Sequence, residues 1–511
     1  MNSPKTPPIR GKRAAPSVII VGAGMGGLAA AFYLKRAGVT NLTMLERGPE
    51  VGGTWRANTY PGIAVDTSIL QYSLSFDPNP GWTRLYANGA ELHSYLISIS
   101  HRHDIRRHIK FNETVDECRY DVRNQQWIVQ TSTGARYTAD ILISATGALS
   151  TPATPDIPGL QNFRGRVLHS AQWDPAFDAT GTRIAQIGSG ATAAQLVPEI
   201  AKSADHVYVY QRSPAWVFPR NDRPIGRREG RLYEKFPVIL RARRWKRFWD
   251  NDRIAYGFEK QNGTVAKQTA YALDFIDRSI SDPSLREAVI PDYEVGCKRR
   301  VMSDDWYPAL QRDNVDLVPH ALERITERSV IGKDGIEREV DTIIFSTGFA
   351  VADFMPMKVF GATGQELHDT WSDGAATHLG ISVADYPNLF LVAGPNTGIG
   401  AGSSSFMIEC QAKYIARAVR YMTRHGICSL NLRPEVQSRS YAKVQQRLAG
   451  SVFGSGCVGW YQSANGRIDT VWPGLNAGYW ARTKLFSPRH FRRQPINRTG
   501  RSAQPLERAS Q

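Results

Sequence analysis

The sequence predicts an α/β fold in which two parallel-sheet units are joined and a helical segment is inserted. Three observations predict it. Two glycine-rich loops, Gly22-Ala-Gly24-Met-Gly26-Gly27 and Gly188-Ser-Gly190-Ala-Thr-Ala193, each follow an apolar run and open an alanine-rich run of helical character. Further apolar runs, Asp140-Ile-Leu-Ile-Ser144, Thr342-Ile-Ile-Phe-Ser346 and Leu389-Phe-Leu-Val-Ala393, are each followed closely by a glycine, as buried parallel strands often are. Between about 222 and 290 the spacing turns helical, with charged and aromatic residues and no strand alternation.

Taken in order, residues 1–15 are rich in Pro, Lys and Arg and read as a disordered basic tail. Ser17–Val21 is a short apolar strand, and a helix follows from about Leu28 to Arg36, with Gly38 as its C-terminal cap. Leu42–Leu45 is a second strand that delivers Glu46. Pro152, Pro155 and Pro158 punctuate a linker after Gly147. Arg183–Ile187 is a strand that enters the second loop, Ala191–Ala201 a helix, and His206–Tyr210 a strand that ends at Arg212. Thr347-Gly348 echoes Thr146-Gly147, and a helix runs from about Met407 to Arg424. The boundaries that result are 16–150 with 385–488 for one unit, 151–221 with 300–384 for the other, 222–299 for the insertion, and 489–511 for a basic C-terminal tail.

Each βαβ start reads as a Rossmann-like dinucleotide site. In such loops the first glycine permits the tight turn, the second lets backbone approach a pyrophosphate, and the third packs helix on strand. Here these are Gly22, Gly24 and Gly27, then Gly188, Gly190 and Ala193, where alanine affects only the packing role. The helix N-terminus faces the anion with its positive dipole end. Glu46 suits the ribose hydroxyls that FAD offers. The matching position of the second unit offers Arg212 and no acid, which suits the 2′-phosphate of NADPH. Two loops therefore predict two cofactors.

The formal net charge is +16. Much of it lies in the tails and in Arg241-Ala-Arg-Arg-Trp245-Lys-Arg247, which reads as a solvated helix face. No nucleic-acid module is recognisable, while weak contact with an anionic membrane surface fits the same charge. No apolar run is long enough to cross a membrane as a helix. The five cysteines are far apart, with no close pair and no metal-ligand spacing. They read as free thiols of a cytoplasmic protein, without metal, and not as the close redox pair of a disulfide reductase.

Two longer stretches narrow the reading. Phe163-Arg-Gly165-Arg-Val-Leu-His169-Ser-Ala-Gln-Trp173-Asp174 lies between the loops, and Gly52-Gly-Thr54-Trp55-Arg-Ala-Asn-Thr-Tyr60-Pro61-Gly62-Ile-Ala-Val-Asp66 follows the first. Both resemble signatures of type I Baeyer–Villiger monooxygenases, and the resemblance runs from about Val18 to about Pro488. It implies an NADPH- and O2-dependent flavoprotein that inserts oxygen beside a ketone carbonyl through a flavin C4a-peroxide. It implies that Asp66 and Arg299 are the active-site pair, with Arg300 competing for the second role because the family often has proline there. Lys298 would join Arg212 on the NADPH phosphate, while Thr54, Trp55 and Asn396 would meet cofactor. His169 and Trp173 would couple domain movement to the reaction. The substrate would be a small ketone or another hydrophobic molecule, met by the insertion and by the stretch from Trp460 to Tyr479. Oxygenation at sulfur or nitrogen, or a flavin-binding redox sensor without turnover, remain alternatives.

Overall fold

A computed structural model describes residues 15–351, 353–457, 459, 461–462 and 466–496. Most of both tails, and Trp460, lie outside them. The first sheet has the order Leu389–Leu391, Ile141–Ser144, Val18–Val21, Leu42–Glu46, Ile109–Phe111, all parallel. Its central strands are buried throughout because both faces are covered. Val18 and Ile20 face a core shared with the helices Met25–Arg36 and Ser404–His425. Ile19 and Val21 face the other way, onto a largely antiparallel layer. The first helix begins at Met25, directly after Gly24, so its N-terminus abuts the loop more closely than a start at Leu28 would allow.

That layer, in the order Lys358–Phe360, Val115–Asp121, Gln126–Thr131, Arg136–Ala139, is antiparallel except that Lys358–Phe360 pairs parallel to its neighbour, and it is absent from the sequence reading. Its alternation is visible in hindsight: Val115, Cys118 and Tyr120 are buried while Asp116 and Arg119 are exposed. Lys358–Phe360, expected in the second unit, pairs with residues 117–119 of the first.

The second sheet runs Val315–Val318, His206–Tyr210, Arg183–Ile187, Thr342–Phe345, Arg166–His169, again parallel. The helix after its glycine loop spans Ala193–Ile200 and buries Ala193, Leu196 and Val197. Residues 227–288 carry four helices, Arg227–Lys235, Pro237–Lys260, Thr264–Ser279 and Pro283–Ala288.

Two expectations are corrected. The basic block in the long helix is not wholly solvated. Arg244 points inward and donates to the carbonyls of Leu70 at 3.1 Å and Ser73 at 2.8 Å, with the Glu409 carboxylate 3.8 Å away. Burial holds its pKa down, and Glu409 opposes that shift. An arginine can reach through a helix face to orphaned carbonyls, which charge counting does not reveal. Likewise residues 491–495, expected in a tail, form a strand against Ile427–Leu432, anchored by buried Phe491.

His368 lies in the short helix Leu367–Thr370 that follows Lys358–Phe360. Its Nε2 lies 3.2 Å from Asp353 Oδ1 and its Nδ1 lies 3.0 Å from Glu366 Oε1. The Asp353 hydrogen bond, then that of Glu366, raises its pKa to about 9 against the opposing effect of burial. A raised folded-state pKa stabilises fully below the unfolded value of ~6.5, and the gain fades as pH climbs through 9. His368→Gln is therefore expected to flatten the decline of unfolding midpoint between these pH values. A wild-type curve already flat there would contradict the assignment.

Candidate active site

The two glycine loops occupy equivalent places. Gly22 has φ +101°, and a Cβ there would lie 2.6 Å from the Ala145 carbonyl oxygen. Gly188 has φ +108°, and a Cβ would lie 2.7 Å from the Ser346 carbonyl oxygen. Each loop thus passes under the end of a neighbouring parallel strand, a route that admits glycine alone. A Cβ on Gly27 would meet the Gly22 carbonyl oxygen at 2.0 Å, while Gly190 has open space around it. Neither following helix has a side-chain cap; in the second, the Ala194 N–H donates to the Gly190 carbonyl at 3.0 Å, so fewer N–H groups are left there for an anion than in the first.

Gly53 lies against Gly24, with a built Cβ at 3.0 Å from the Gly24 Cα, and the Gly52 N–H donates to the Ala23 carbonyl at 3.1 Å. The second signature is therefore seated on the first loop. Glu46 is buried at the strand end, where its carboxylate accepts from the N–H groups of Ala23 and Gly48, both at 2.8 Å. Thr54 and Trp55 open a short helix, Thr54–Ala57. Trp55 donates its indole N–H to the Tyr72 hydroxyl at 3.2 Å.

The same signature reaches the other unit. A Cβ on Gly62 would fall 2.3 Å from the Gln195 carbonyl oxygen, and the Gln195 side chain accepts from Tyr60 at 3.0 Å and donates to the Ala64 carbonyl at 3.0 Å. Asp66 follows. Its Oδ2 accepts from Arg299 Nε at 3.0 Å and from a terminal guanidinium nitrogen. The Arg299 side chain is 43% exposed, and the nearby Tyr72 and Tyr461 act on it electrostatically. Asp66 raises its pKa above the usual arginine range against the cost of burial. Arg300 diverges. Its guanidinium stacks 5.4 Å from the rings of Phe218 and Phe258 and donates to Gln268 at 2.8 Å, and burial lowers its pKa to about 10.

Arg212 is exposed at the end of His206–Tyr210. Lys298 Nζ lies 3.4 Å from Ser213 Oγ and 4.4 Å from the Tyr293 ring centroid. Burial, and then the charge of Arg212, lower the Lys298 pKa. Two cations placed near each other in this way suit a doubly charged anion.

His169 and Trp173 lie inside the second unit. His169 accepts from the Ala171 N–H at 3.1 Å, and burial lowers its pKa. Trp173 packs edge-on to Phe177 at 5.5 Å. Asn396 spends its side-chain N–H groups on the carbonyls of Ile468 at 2.8 Å and Val471 at 3.2 Å. Its amide nitrogen thus ties down the chain. Tyr72, Gln195 and Tyr461 were missed by sequence reading, since only folding brings them to the pair. Among the described residues no group of His, Cys, Asp or Glu is placed to hold a metal ion.

The cysteines need correction. Cys297 and Cys457, 160 positions apart, form a disulfide, while Cys118 and Cys410 are buried free thiols. Spacing along the chain does not reveal a pair brought together where insertion and C-terminal segment meet. The premise for a reducing compartment, five free thiols, does not hold.

A family model described as pyridine nucleotide-disulphide oxidoreductase matches residues 16–268. A Baeyer–Villiger monooxygenase of Streptomyces coelicolor is 40% identical over 471 residues, covering 91% of this chain and 90% of that protein. The chain belongs to the Baeyer–Villiger monooxygenases. A second member, from Pseudomonas aeruginosa, is 38% identical over 484 residues, 94% of this chain and 92% of its own. Among solved structures, OTEMO in complex with FAD and NADP superposes with a TM-score of 0.84 at 26% identity, over 94% of this chain and 100% of that one. An oxidized steroid monooxygenase bound to NADP gives 0.82 at 26% identity, over 92% and 97%. This Baeyer–Villiger chain is thus an α/β enzyme with two Rossmann-type units.

Titration of the denatured protein with a thiol reagent is expected to find two more thiols after reduction than before it. Five without reduction would remove the cross-link. Gly62→Ala is expected to destabilise by about 2–3 kcal/mol, read from the denaturant midpoint, because backbone on both sides must move.

Proposed function

We propose that this monooxygenase inserts oxygen beside the carbonyl of a small hydrophobic ketone, using NADPH, O2 and FAD, with Arg299 and Asp66 as its catalytic residues. The observation that carries the reading is the Arg299–Asp66 pair, which joins the end of the signature seated on the first glycine loop to the end of the insertion. The residues fit both cofactors. Gly24, packed against Gly53, and the uncapped helix at Met25 suit the FAD pyrophosphate, and Glu46 suits its ribose. Gly188, Gly190 and the helix after Ala193 suit the NADPH pyrophosphate, with Arg212 and Lys298 on the 2′-phosphate.

Bound FAD, once reduced by NADPH, supplies the activation of O2 that no side chain here can perform. The protein positions and stabilises. Arg299 holds a permanent positive charge where negative charge develops on oxygen, and Asp66 aims the guanidinium through its hydrogen bonds. Trp55 fixes Tyr72 behind this pair. The Tyr60–Gln195 and Ala64–Gln195 contacts keep the units face to face, which limits the water that reaches the pair.

Arg299→Ala is expected to retain the flavin spectrum and NADPH oxidation while product formation falls about 10²- to 10³-fold. Undiminished ester or lactone from a ketone panel would refute the role. Arg212→Ala is expected to raise KM for NADPH about 10- to 100-fold with little change for NADH. Equal loss for both coenzymes would remove the phosphate assignment.

A further inference from the structure

The long insertion helix Pro237–Lys260 shows an outward face that the reaction does not use. Val238, Trp245, Trp249 and Tyr256 are between 43% and 63% exposed. Their spacings of seven, four and seven residues are close to two, one and two turns at ~3.6 residues per turn, so the four form one stripe along the helix. Leu232 and Phe236, exposed on the preceding segment, lie near its start in sequence. Scattered apolar residues on a surface need no explanation, but an ordered stripe with two tryptophans does.

The same spacing sets Arg241 along one side of the stripe and Lys246 and Arg253 along the other, all exposed. Lys246 pairs with Asp250 at 2.9 Å, while no carboxylate among the described residues pairs with Arg241 or Arg253. Arg227, Arg228, Arg231 and Lys235 add charge on the preceding helix. Aromatic rings between cations with long apolar stems match the boundary of an anionic bilayer, where rings sit at headgroup depth and the cations meet phosphate. No helix among the described residues is long and apolar enough to cross a membrane, so the contact is peripheral.

We propose that this stripe docks the enzyme on anionic lipid surfaces. The inner side of the same helix buries Phe258, over which Arg300 stacks beside Arg299. A docked helix therefore has the bilayer on one side and the candidate active site near the other. The charge complementarity selects a membrane over a second copy of this chain, whose identical face would set like charges against each other.

The test is cosedimentation of the full chain with vesicles of phosphatidylcholine alone, or with an equal part of phosphatidylglycerol. Binding is expected for the anionic vesicles only and is expected to weaken as salt rises. Trp245→Ser with Trp249→Ser is expected to weaken it about tenfold or more, with NADPH oxidation on a soluble ketone unchanged. Arg241→Glu with Lys246→Glu is expected to abolish the preference for anionic lipid. No binding to either vesicle, equal binding to both, insensitivity to the tryptophan changes, or a dimer that the tryptophan variant dissolves would each overturn the proposal. Vesicle binding is read without turnover, so it stands or falls apart from the ketone reaction.

Discussion

The carboxylate of Asp66 reaches from the first unit to the guanidinium of Arg299, which stands at the end of the insertion. A charge-assisted bond is strong only while both partners are held at the right distance. Much of the surrounding structure serves that condition. The signature that ends at Asp66 is pinned at one end to the first glycine loop by Gly52 and Gly53, and along its length to Gln195 by Tyr60, Gly62 and Ala64. Two residues before Arg299 the chain is tied by Cys297 to Cys457, and its neighbour Arg300 is held by Phe218, Phe258 and Gln268. Consecutive arginines that point apart give one charge to Asp66 and one to the packing of the insertion.

What the sequence made legible was local. Gly22, Gly24, Gly27 and Glu46 are recognisable because a tight turn, a close backbone approach and an acid at a strand end follow each other within one βαβ unit. The same holds for Gly188, Gly190 and Arg212. The antiparallel layer of residues 115–139 was within reach of a period-two reading, since buried and exposed residues alternate there. It lacks a loop motif to draw attention to it. Tyr72, Gln195, Tyr461 and the inward turn of Arg244 were beyond reach, because each owes its role to a neighbour distant in sequence. The place of Asn396 in a matched motif suggests cofactor contact, and the structure adds a role that the motif does not reveal, since its amide nitrogen holds the segment at 468–471.

The insertion is more than a spacer between units. Arg244 and Glu409 join its long helix to the first unit, and Asp252 accepts from the Asn476 backbone N–H at 2.6 Å. Arg447 and Glu259, with a 2.7 Å contact, fasten the end of that helix to the C-terminal segment. Ion pairs buried at such joints add little net stability against apolar replacements, yet breaking one partner leaves an uncompensated charge. They therefore specify one orientation of the helix more than they strengthen the fold.

The covalent link between Cys297 and Cys457 encloses strands of both parallel sheets, residues 315–318 and 342–345 of one and 389–391 of the other. On a chain-entropy account, closing a ring of this length restricts the denatured ensemble by about 5 kcal/mol. That is comparable to the whole folding free energy of many domains. Handling the enzyme with or without a thiol reagent in the buffer therefore amounts to working with two proteins of one sequence, each with its own melting behaviour.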